Sequence, residues 1–166
     1  HDSLHKLMEY SSFIFGDQNE WEVASGLRHI PFKAMDAGYE IDRNAYEAYF
    51  RELKKQFPRC RRMLIALRNQ ITSAHHTLTG VLYADDKLYT TRIYDIQPII
   101  DPMGVGDAFV AAFIHARQRW ADDDQRCLDF ALAASAMKNT VPGDQNLVTE
   151  QEIIAMMGNT TGRIER

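Results

Sequence analysis

The chain has 166 residues, of which 45% are hydrophobic and 25% charged, and its formal net charge is -4. These values are ordinary for one globular domain, and the acidic balance argues against partners such as nucleic acid or an anionic membrane. Cys60 and Cys127 are far apart in sequence, which speaks against a disulfide framework and for a reducing cytoplasm. The longest apolar run, 108–114, is much shorter than the roughly 20 residues of a membrane helix.

The first part of the chain predicts helices separated by one short apolar strand. Asp42 is a suitable N-cap for an amphipathic helix, and Pro58 ends that helix. Gly26 closes an earlier, shorter helix in the same way that glycine commonly does. The expected elements are a helix ending near residue 10, a strand at 12–15, a helix at 19–26, a long connection at 27–41 and a helix at 43–57.

The middle of the chain predicts strands. Residues 63–67 form a continuous apolar run, which indicates a strand buried on both faces, and residues 68–70 are expected to be a polar turn. Alternation then favours an antiparallel excursion before the chain returns to helices. Its expected parts are short strands at 72–77 and 80–83, a hairpin turn at Asp85–Asp86 and a return strand at 88–94.

The last part of the chain predicts three more helices. One follows the glycine-rich turn at 104–106 and ends near Trp120, and a second, capped within 122–124, runs to Lys138. Thr149 and Glu152 form a capping box that opens the third, while residues 158–166 are expected to fray. Helices that alternate with buried strands predict an α/β layered sheet.

The most informative stretch is residues 101–109, Asp-Pro-Met-Gly-Val-Gly-Asp-Ala-Phe, between an extended segment and an apolar helix. Gly104 and Gly106 allow the backbone to approach a ligand closely. The free N–H groups and the positive dipole end of the helix favour an anion there. Asp107 stands in the first turn and is a candidate base, so the stretch indicates phosphoryl transfer to an alcohol.

Three motifs resemble those of the ribokinase-like, or pfkB-type, carbohydrate kinases. Residues 101–109 are similar to that family's signature D-x-x-G-A-G-D-x-F, with Val105 in place of alanine. Asn19-x-x-Glu22 resembles its N-x-x-E motif, and residues 138–148 resemble its nucleotide-proximal loop. Within the family the loop is most similar to that of 2-keto-3-deoxygluconate kinases.

The resemblance implies a three-layer α/β/α sandwich of the ribokinase-like, Rossmann-like type. Members of the family are considerably longer than this chain. We therefore expect residues 1–166 to be a single α/β domain, the C-terminal nucleotide-binding and catalytic portion, truncated at the N-terminus and lacking the sugar-binding and lid portion. An exposed sheet edge would then favour a homodimer or poor solubility.

The resemblance also assigns roles around the glycine-rich turn. Backbone N–H groups of Gly104, Val105 and Gly106 would neutralise the transferring γ-phosphoryl group, and Asp107 would deprotonate the acceptor hydroxyl. Asn19 and Glu22 would organise Mg²⁺ near the phosphates of ATP. The alternative for that pair is a helix-capping arrangement, and the two interpretations are compatible; Asp17 and Glu20 are expected to be solvated.

The nucleotide side of the implied site is less sharply defined. Arg68 and Asn69 follow a buried strand where the family contacts the nucleotide, although a surface arginine is an open alternative for Arg68. Asp101 would help backbone carbonyls to hold a monovalent cation such as K⁺. Some relatives offer a hydroxyl ligand at the position of Leu147, so the presence of this cation site stays an open alternative. The residues expected to border the adenine pocket are Gly143, Asp144 and Asn146.

The leading hypothesis is a cytoplasmic Mg²⁺- and ATP-dependent kinase that phosphorylates a small sugar or sugar acid. The competing hypothesis is a nucleotide-binding remnant of such a kinase without catalytic activity. Neither hypothesis involves nucleic acid or a membrane. His75 and His76 are interpreted as structural, because adjacent strand residues point to opposite faces and do not chelate one metal together.

Overall fold

The computed structural model describes residues 2–159 and 163–164, which form six helices and six strands. None of the described helices is long and apolar enough to cross a membrane. The helices are α1 (Asp2–Glu9), α2 (Gln18–Ser25), α3 (Arg43–Gln56), α4 (Val105–Arg119), α5 (Asp124–Lys138) and α6 (Glu150–Met157). The strands are β1 (Phe13–Gly16), β2 (Arg62–Thr72), β3 (His75–Ala84), β4 (Lys87–Thr90), β5 (Tyr94–Ile96) and β6 (Arg163–Ile164).

The strands form one mixed sheet in the order β1-β2-β3-β5-β6, with β4 also paired to β3. The β1–β2 and β5–β6 pairs are parallel, whereas β3 runs antiparallel to β2, β4 and β5. The antiparallel excursion predicted from the sequence is thus confirmed. Asp85 and Asp86 make its turn, both with positive φ, as a tight hairpin turn requires.

Helices cover both faces of this sheet, which makes the fold a three-layer α/β/α sandwich. Alternate side chains of β2 and β3 pack on α4, α5 and α6 on one face, and the others pack on α1, α2 and α3 on the opposite face. Every residue of β3 from His76 to Ala84 is buried, as expected for a strand covered on both sides. The α/β class predicted from the sequence is therefore confirmed.

The helix ends follow the capping residues of the sequence. The Asp42 side chain accepts the Ala45 amide at the start of α3, and the Thr149–Glu152 capping box opens α6. Gly26 ends α2 in the left-handed conformation that glycine adopts most easily. The long connection over 27–41 contains no helix or strand, in agreement with its lack of periodicity.

Three sequence predictions about strands were wrong. Residues 68–70 are not a turn, because their backbone continues the ladder between β2 and β3. The two short strands at 72–77 and 80–83 are one strand, β3, and the return strand is divided into β4 and β5. Thr91 lies at the division, where its hydroxyl accepts the Gly80 amide and interrupts the regular pairing.

The prediction that residues 158–166 fray is wrong for 163–164, which belong to the sheet. Arg163 and Ile164 pair in parallel with β5 and so form the sheet edge β6. The other residues of that prediction beyond 159 lie outside the described part of the chain.

Candidate active site

A cleft of about 440 Å³ opens where the first turns of α2 and α4 meet the sheet. Its floor comes from the end of β1, the middle of β2 and Leu78 of β3, and its walls come from the two helix N-termini. Asp17, Glu20, Arg68 and Asp107 are its charged lining residues, so acidic and basic groups share one small space. The remaining lining residues are Phe15, Gly16, Ala66, Leu78, Pro102, Val105, Gly106, Phe109, Val110 and Ser135.

The first turn of α4 presents backbone N–H groups to this cleft. Gly104 is the N-cap residue with φ 75° and has no side chain to cap the helix. The first intrahelical bond runs from the Ala108 amide to the Gly104 carbonyl, 2.9 Å. The amides before Ala108 therefore have no partner within the helix, and together with the helix dipole they attract an anion.

Two contacts fix the backbone of this turn. A Cβ added at Gly104 would lie 2.3 Å from the Asp144 carbonyl oxygen, so only glycine allows the loop around Asp144 to approach. The buried Ser135 hydroxyl of α5 donates to the Val105 carbonyl at 2.9 Å. The turn is thus held between α5 and the loop that follows α5.

Asp101 joins the same loop to the glycine-rich turn. One carboxylate oxygen accepts the Met103 amide at 2.9 Å, and the other accepts the Gly143 amide at 2.9 Å. These two backbone hydrogen bonds, of which the one from Met103 has the larger effect, lower the pKa of Asp101. The Asp101 side chain therefore clamps two loops together.

Asp107 lies in the first turn of α4, exposed, and lines the cleft beside the free amides of that turn. A carboxylate in this position is able to accept a proton from a group bound at the amides. The structure thus brings Gly104, Val105, Gly106 and Asp107 together at one helix end, as the sequence predicts.

The N-terminus of α2 differs from the predicted metal site. Asp17 and Glu20 form a reciprocal capping box, in which each side chain accepts the other residue's backbone amide, and both line the cleft. Asn19 instead borders an apolar groove between α1 and α2. Glu22 accepts the backbone amide and ring Nδ1 of His29, contacts that lower its pKa.

The predicted metal role of Asn19 and Glu22 therefore has no support in their positions. The physical reason is the phase of the helix: residues two positions along are turned to another side of α2. The signal for Asp17 and Glu20 was present in the sequence, because Asp-x-x-Glu before a helix is itself a capping box. The N-x-x-E pattern begins two residues later and overlaps with this capping box.

Arg68 and Asn69 separate because they are adjacent on a strand. Arg68 lines the cleft, whereas the Asn69 side chain lies on the other face of β2. There the Asn69 amide donates to the Ala34 carbonyl at 2.8 Å and holds the connection 27–41 against the sheet. Arg68 remains a candidate for an anionic ligand, and the prediction that Asn69 contacts the nucleotide is not supported.

The predicted adenine-side residues lie in the loop after α5. Gly143 donates to Asp101 and Asp144 touches Gly104, so both are next to the glycine-rich turn. The Asn146 side chain accepts the Val148 amide at 3.3 Å, and Leu147 is 72% exposed. Gly143, Asp144 and Asn146 do not line the described cleft, so their contact with adenine stays a prediction.

Asp17 and Glu20 are the residues of the cleft whose carboxylates could hold Mg²⁺. The capping box uses one oxygen of Asp17 and one of Glu20, and Mg²⁺ commonly takes one or two carboxylates together with waters and phosphates. Within the described residues no cluster of three or more His, Cys, Asp or Glu side chains forms a closed metal site. Each oxygen of Asp101 accepts one backbone amide, and the monovalent cation predicted for this side chain stays a prediction.

Comparison with known proteins identifies the family and the fold of the chain. Residues 1–151 match the family described as pfkB family carbohydrate kinase. No curated protein sequence matches the chain. The fold is similar to that of 2-dehydro-3-deoxygluconokinase from Thermotoga maritima, with a TM-score of 0.79 and 23% identity over 95% of this chain and 46% of the relative.

Two further solved structures share the fold. A PfkB family carbohydrate kinase from Listeria grayi has a TM-score of 0.77 and 22% identity over 95% of this chain and 44% of its own. A nucleoside kinase from Methanocaldococcus jannaschii has a TM-score of 0.63 and 22% identity over 95% and 43%. The chain thus spans less than half the length of these three proteins.

Proposed function

The chain belongs to the pfkB family of carbohydrate kinases, and we propose that its cleft transfers the γ-phosphoryl group of ATP to an alcohol. The observation that carries the proposal is the uncapped N-terminus of α4 with Asp107 in its first turn. Phosphoryl transfer needs oriented donors for the charge of the transferring group and a base for the attacking hydroxyl. Both are available at this helix end.

The proposed reaction assigns one task to each group of the cleft. The amides of Val105 and Gly106 donate to the oxygens of the transferring phosphoryl group, and the Asp107 carboxylate takes the proton from the acceptor hydroxyl. Arg68 approaches the phosphates from the sheet. The hydroxyl attacks phosphorus in line as the bond to the leaving ADP oxygen breaks.

Asp17 and Glu20 are the residues that would hold Mg²⁺, in place of the predicted Asn19 and Glu22. Both carboxylates line the same cleft as Asp107, and each keeps one oxygen outside the capping box. When bound, Mg²⁺ supplies charge neutralisation and orientation for the phosphates. The chain's own contribution is to fix both carboxylates rigidly on the first turn of α2.

For the acceptor we propose a small sugar or sugar acid, with 2-keto-3-deoxygluconate as the first compound to test. This choice is supported by the loop resemblance of residues 138–148 and by the fold of the Thermotoga maritima enzyme. The nucleoside kinase among the similar folds makes nucleosides the second class. The adenine contacts of Gly143, Asp144 and Asn146 belong to the same proposal.

The experiment measures binding and turnover separately on the purified chain. Calorimetry with Mg·AMP-PNP tests the nucleotide site, and release of ADP with 2-keto-3-deoxygluconate, pentoses or nucleosides tests transfer. Nucleotide binding together with acceptor-dependent ADP release supports the kinase. Nucleotide binding without ADP release supports a remnant that only holds the nucleotide. Absence of binding would contradict the proposal as a whole.

A further inference from the structure

Lys138 is a buried cation that the proposed reaction does not use. It is the last residue of α5 and is 0% exposed, although lysine is rarely buried without a partner. Its Nζ donates to the Val141 carbonyl at 3.0 Å. Burying an ammonium is costly, so this placement calls for a function that offsets the cost.

The surroundings of Lys138 are the junction of the two loops beside the cleft. The Asn139 carbonyl accepts the amides of Ile100 and Asp101, and the Gly143 amide donates back to the Asp101 carboxylate. The charge of Lys138 also contributes to lowering the pKa of Asp101. The ammonium thus donates to one backbone carbonyl of the loop after α5 and is near enough to the Asp101 carboxylate to influence its pKa.

We infer that the Lys138 ammonium is a built-in cation of this junction and takes the place of a bound monovalent cation. An ammonium group and K⁺ are compact single positive charges, and backbone carbonyl oxygens hold both well. The Val141 carbonyl is engaged by Lys138, and both Asp101 oxygens are engaged by amides. The positive charge of the junction therefore belongs to a side chain of the protein itself. The order of the two loops then does not depend on K⁺.

The consequence concerns the proposed nucleotide site, and in that respect the inference rests on the proposed function. The loop that Lys138 stabilises touches Gly104 through the Asp144 carbonyl. Because the Lys138 ammonium already supplies the positive charge at the junction, the first turn of α4 should keep its anion-binding conformation in any salt. Affinity for Mg·AMP-PNP should then be the same in K⁺ and in a bulky cation.

A second lysine provides a matched control. Lys54 of α3 also donates from Nζ to a backbone carbonyl, that of Cys60, but it lies with the cluster on the opposite face of the sheet. It is far from the charges of the loop junction in the fold. Lys54→Met therefore removes the same kind of contact without touching the Lys138 junction.

The experiment compares thermal unfolding in KCl and in tetramethylammonium chloride at about 0.1 M ionic strength. The wild type should melt at the same temperature in both salts and bind Mg·AMP-PNP with affinities that agree within about twofold. Lys138→Met should melt about 5 °C or more lower in tetramethylammonium, because the Val141 carbonyl loses its buried partner. KCl should restore half or more of that loss, whereas Lys54→Met should gain nothing specific from KCl.

A K⁺-specific stabilisation of the wild type would overturn the inference, and so would a Lys138→Met variant that KCl does not restore or that folds in neither salt. The wild-type comparison requires no variant, so the inference is testable even where the substitution is severe. The thermal-unfolding measurements also require no nucleotide. Loss of nucleotide binding alone would therefore contradict the proposed function and leave the test of Lys138 intact.

Discussion

The N-termini of α2 and α4 meet at the same cleft with opposite chemistry. In α2 the first turn is closed by its own acids, since Asp17 and Glu20 accept each other's backbone amides. In α4 the N-cap residue is Gly104, which offers no side chain. One helix end therefore presents the carboxylates of its cap, and the other presents bare N–H groups beside the Asp107 carboxylate.

This difference shows how one structural element serves two ligands. A capped N-terminus has little capacity left for an anion, but its carboxylates attract a cation. An uncapped N-terminus keeps its donors for an anion. In the proposed kinase the two ends would bind the cation and the phosphates of one Mg·ATP from opposite sides, and the following substitutions test that division of roles.

The largest effect is expected at Asp107. Asp107→Asn preserves size but removes the base, so turnover should fall by about 10²–10⁴-fold. Nucleotide affinity should change by less than about threefold, because the free amides of α4 are backbone groups that the substitution keeps. Single-turnover kinetics and calorimetry measure the two quantities. Turnover close to that of the wild type would remove Asp107 from the role of base.

The next effect concerns the backbone of the open helix end. Gly104→Ala should lower the free energy of unfolding by about 2–4 kcal/mol, because φ is 75° and the new Cβ would meet the Asp144 carbonyl at 2.3 Å. Gly106→Ala is the control, since no atom lies within 4 Å of its Cβ and φ is not positive. It should leave stability equal or raise it by about 0.5–1 kcal/mol. Urea unfolding measures the free energy of unfolding of both variants. Equal losses in the two variants would contradict the steric explanation.

A smaller effect is expected at the acidic helix end. Glu20→Gln keeps the capping box, because glutamine also serves at that position, but it should raise the Mg²⁺ concentration for half-maximal nucleotide binding by about tenfold. Glu22→Gln removes only a negative charge that faces His29 and should leave the Mg²⁺ requirement unchanged. Mg²⁺ titrations at fixed AMP-PNP compare the pair. The reverse result would restore the Asn19–Glu22 assignment.

The smallest effect is a pH dependence at Asp101. Its pKa is lower in the folded chain than in the unfolded chain, so the carboxylate stabilises the fold at neutral pH. That stabilisation is fully present above the unfolded value of about 4 and is lost as the pH falls through the folded pKa. Asp101→Asn should be less stable than the wild type at pH 7, and the two should converge in strong acid. Urea unfolding across this range measures the difference, and a constant difference at all pH values would contradict it.

The sequence predicted well what depends on local patterns. The glycine-rich turn, the capping residues Asp42 and Thr149 and the hairpin at Asp85–Asp86 depend on neighbours within a few residues. The family signature at 101–109 is also local, and the role proposed for it depends on backbone groups. Such features survive in the fold because few distant contacts compete with them.

The sequence predicted less well what depends on register and on distant partners. The N-x-x-E pattern predicts Asn19 and Glu22, whereas the residues proposed for Mg²⁺, Asp17 and Glu20, lie two positions earlier, a difference that turns a side chain to another face of a helix. Asn69 was assigned with Arg68, although adjacent strand residues separate to opposite faces. The Gly143 amide reaches the Asp101 carboxylate, 42 residues away in sequence, only when the loop after α5 folds back on the glycine-rich turn.

The most direct test of the division between the two helix ends is to follow the backbone amides by NMR during a titration with Mg·AMP-PNP. The amides of Val105, Gly106 and Asp107 should show the largest proton shifts, to lower field as they donate to phosphate oxygens. The amides of α2 that are bound by the capping box, those of Asp17 and Glu20, should move less. Large shifts at α2 with none at the first turn of α4 would contradict the account.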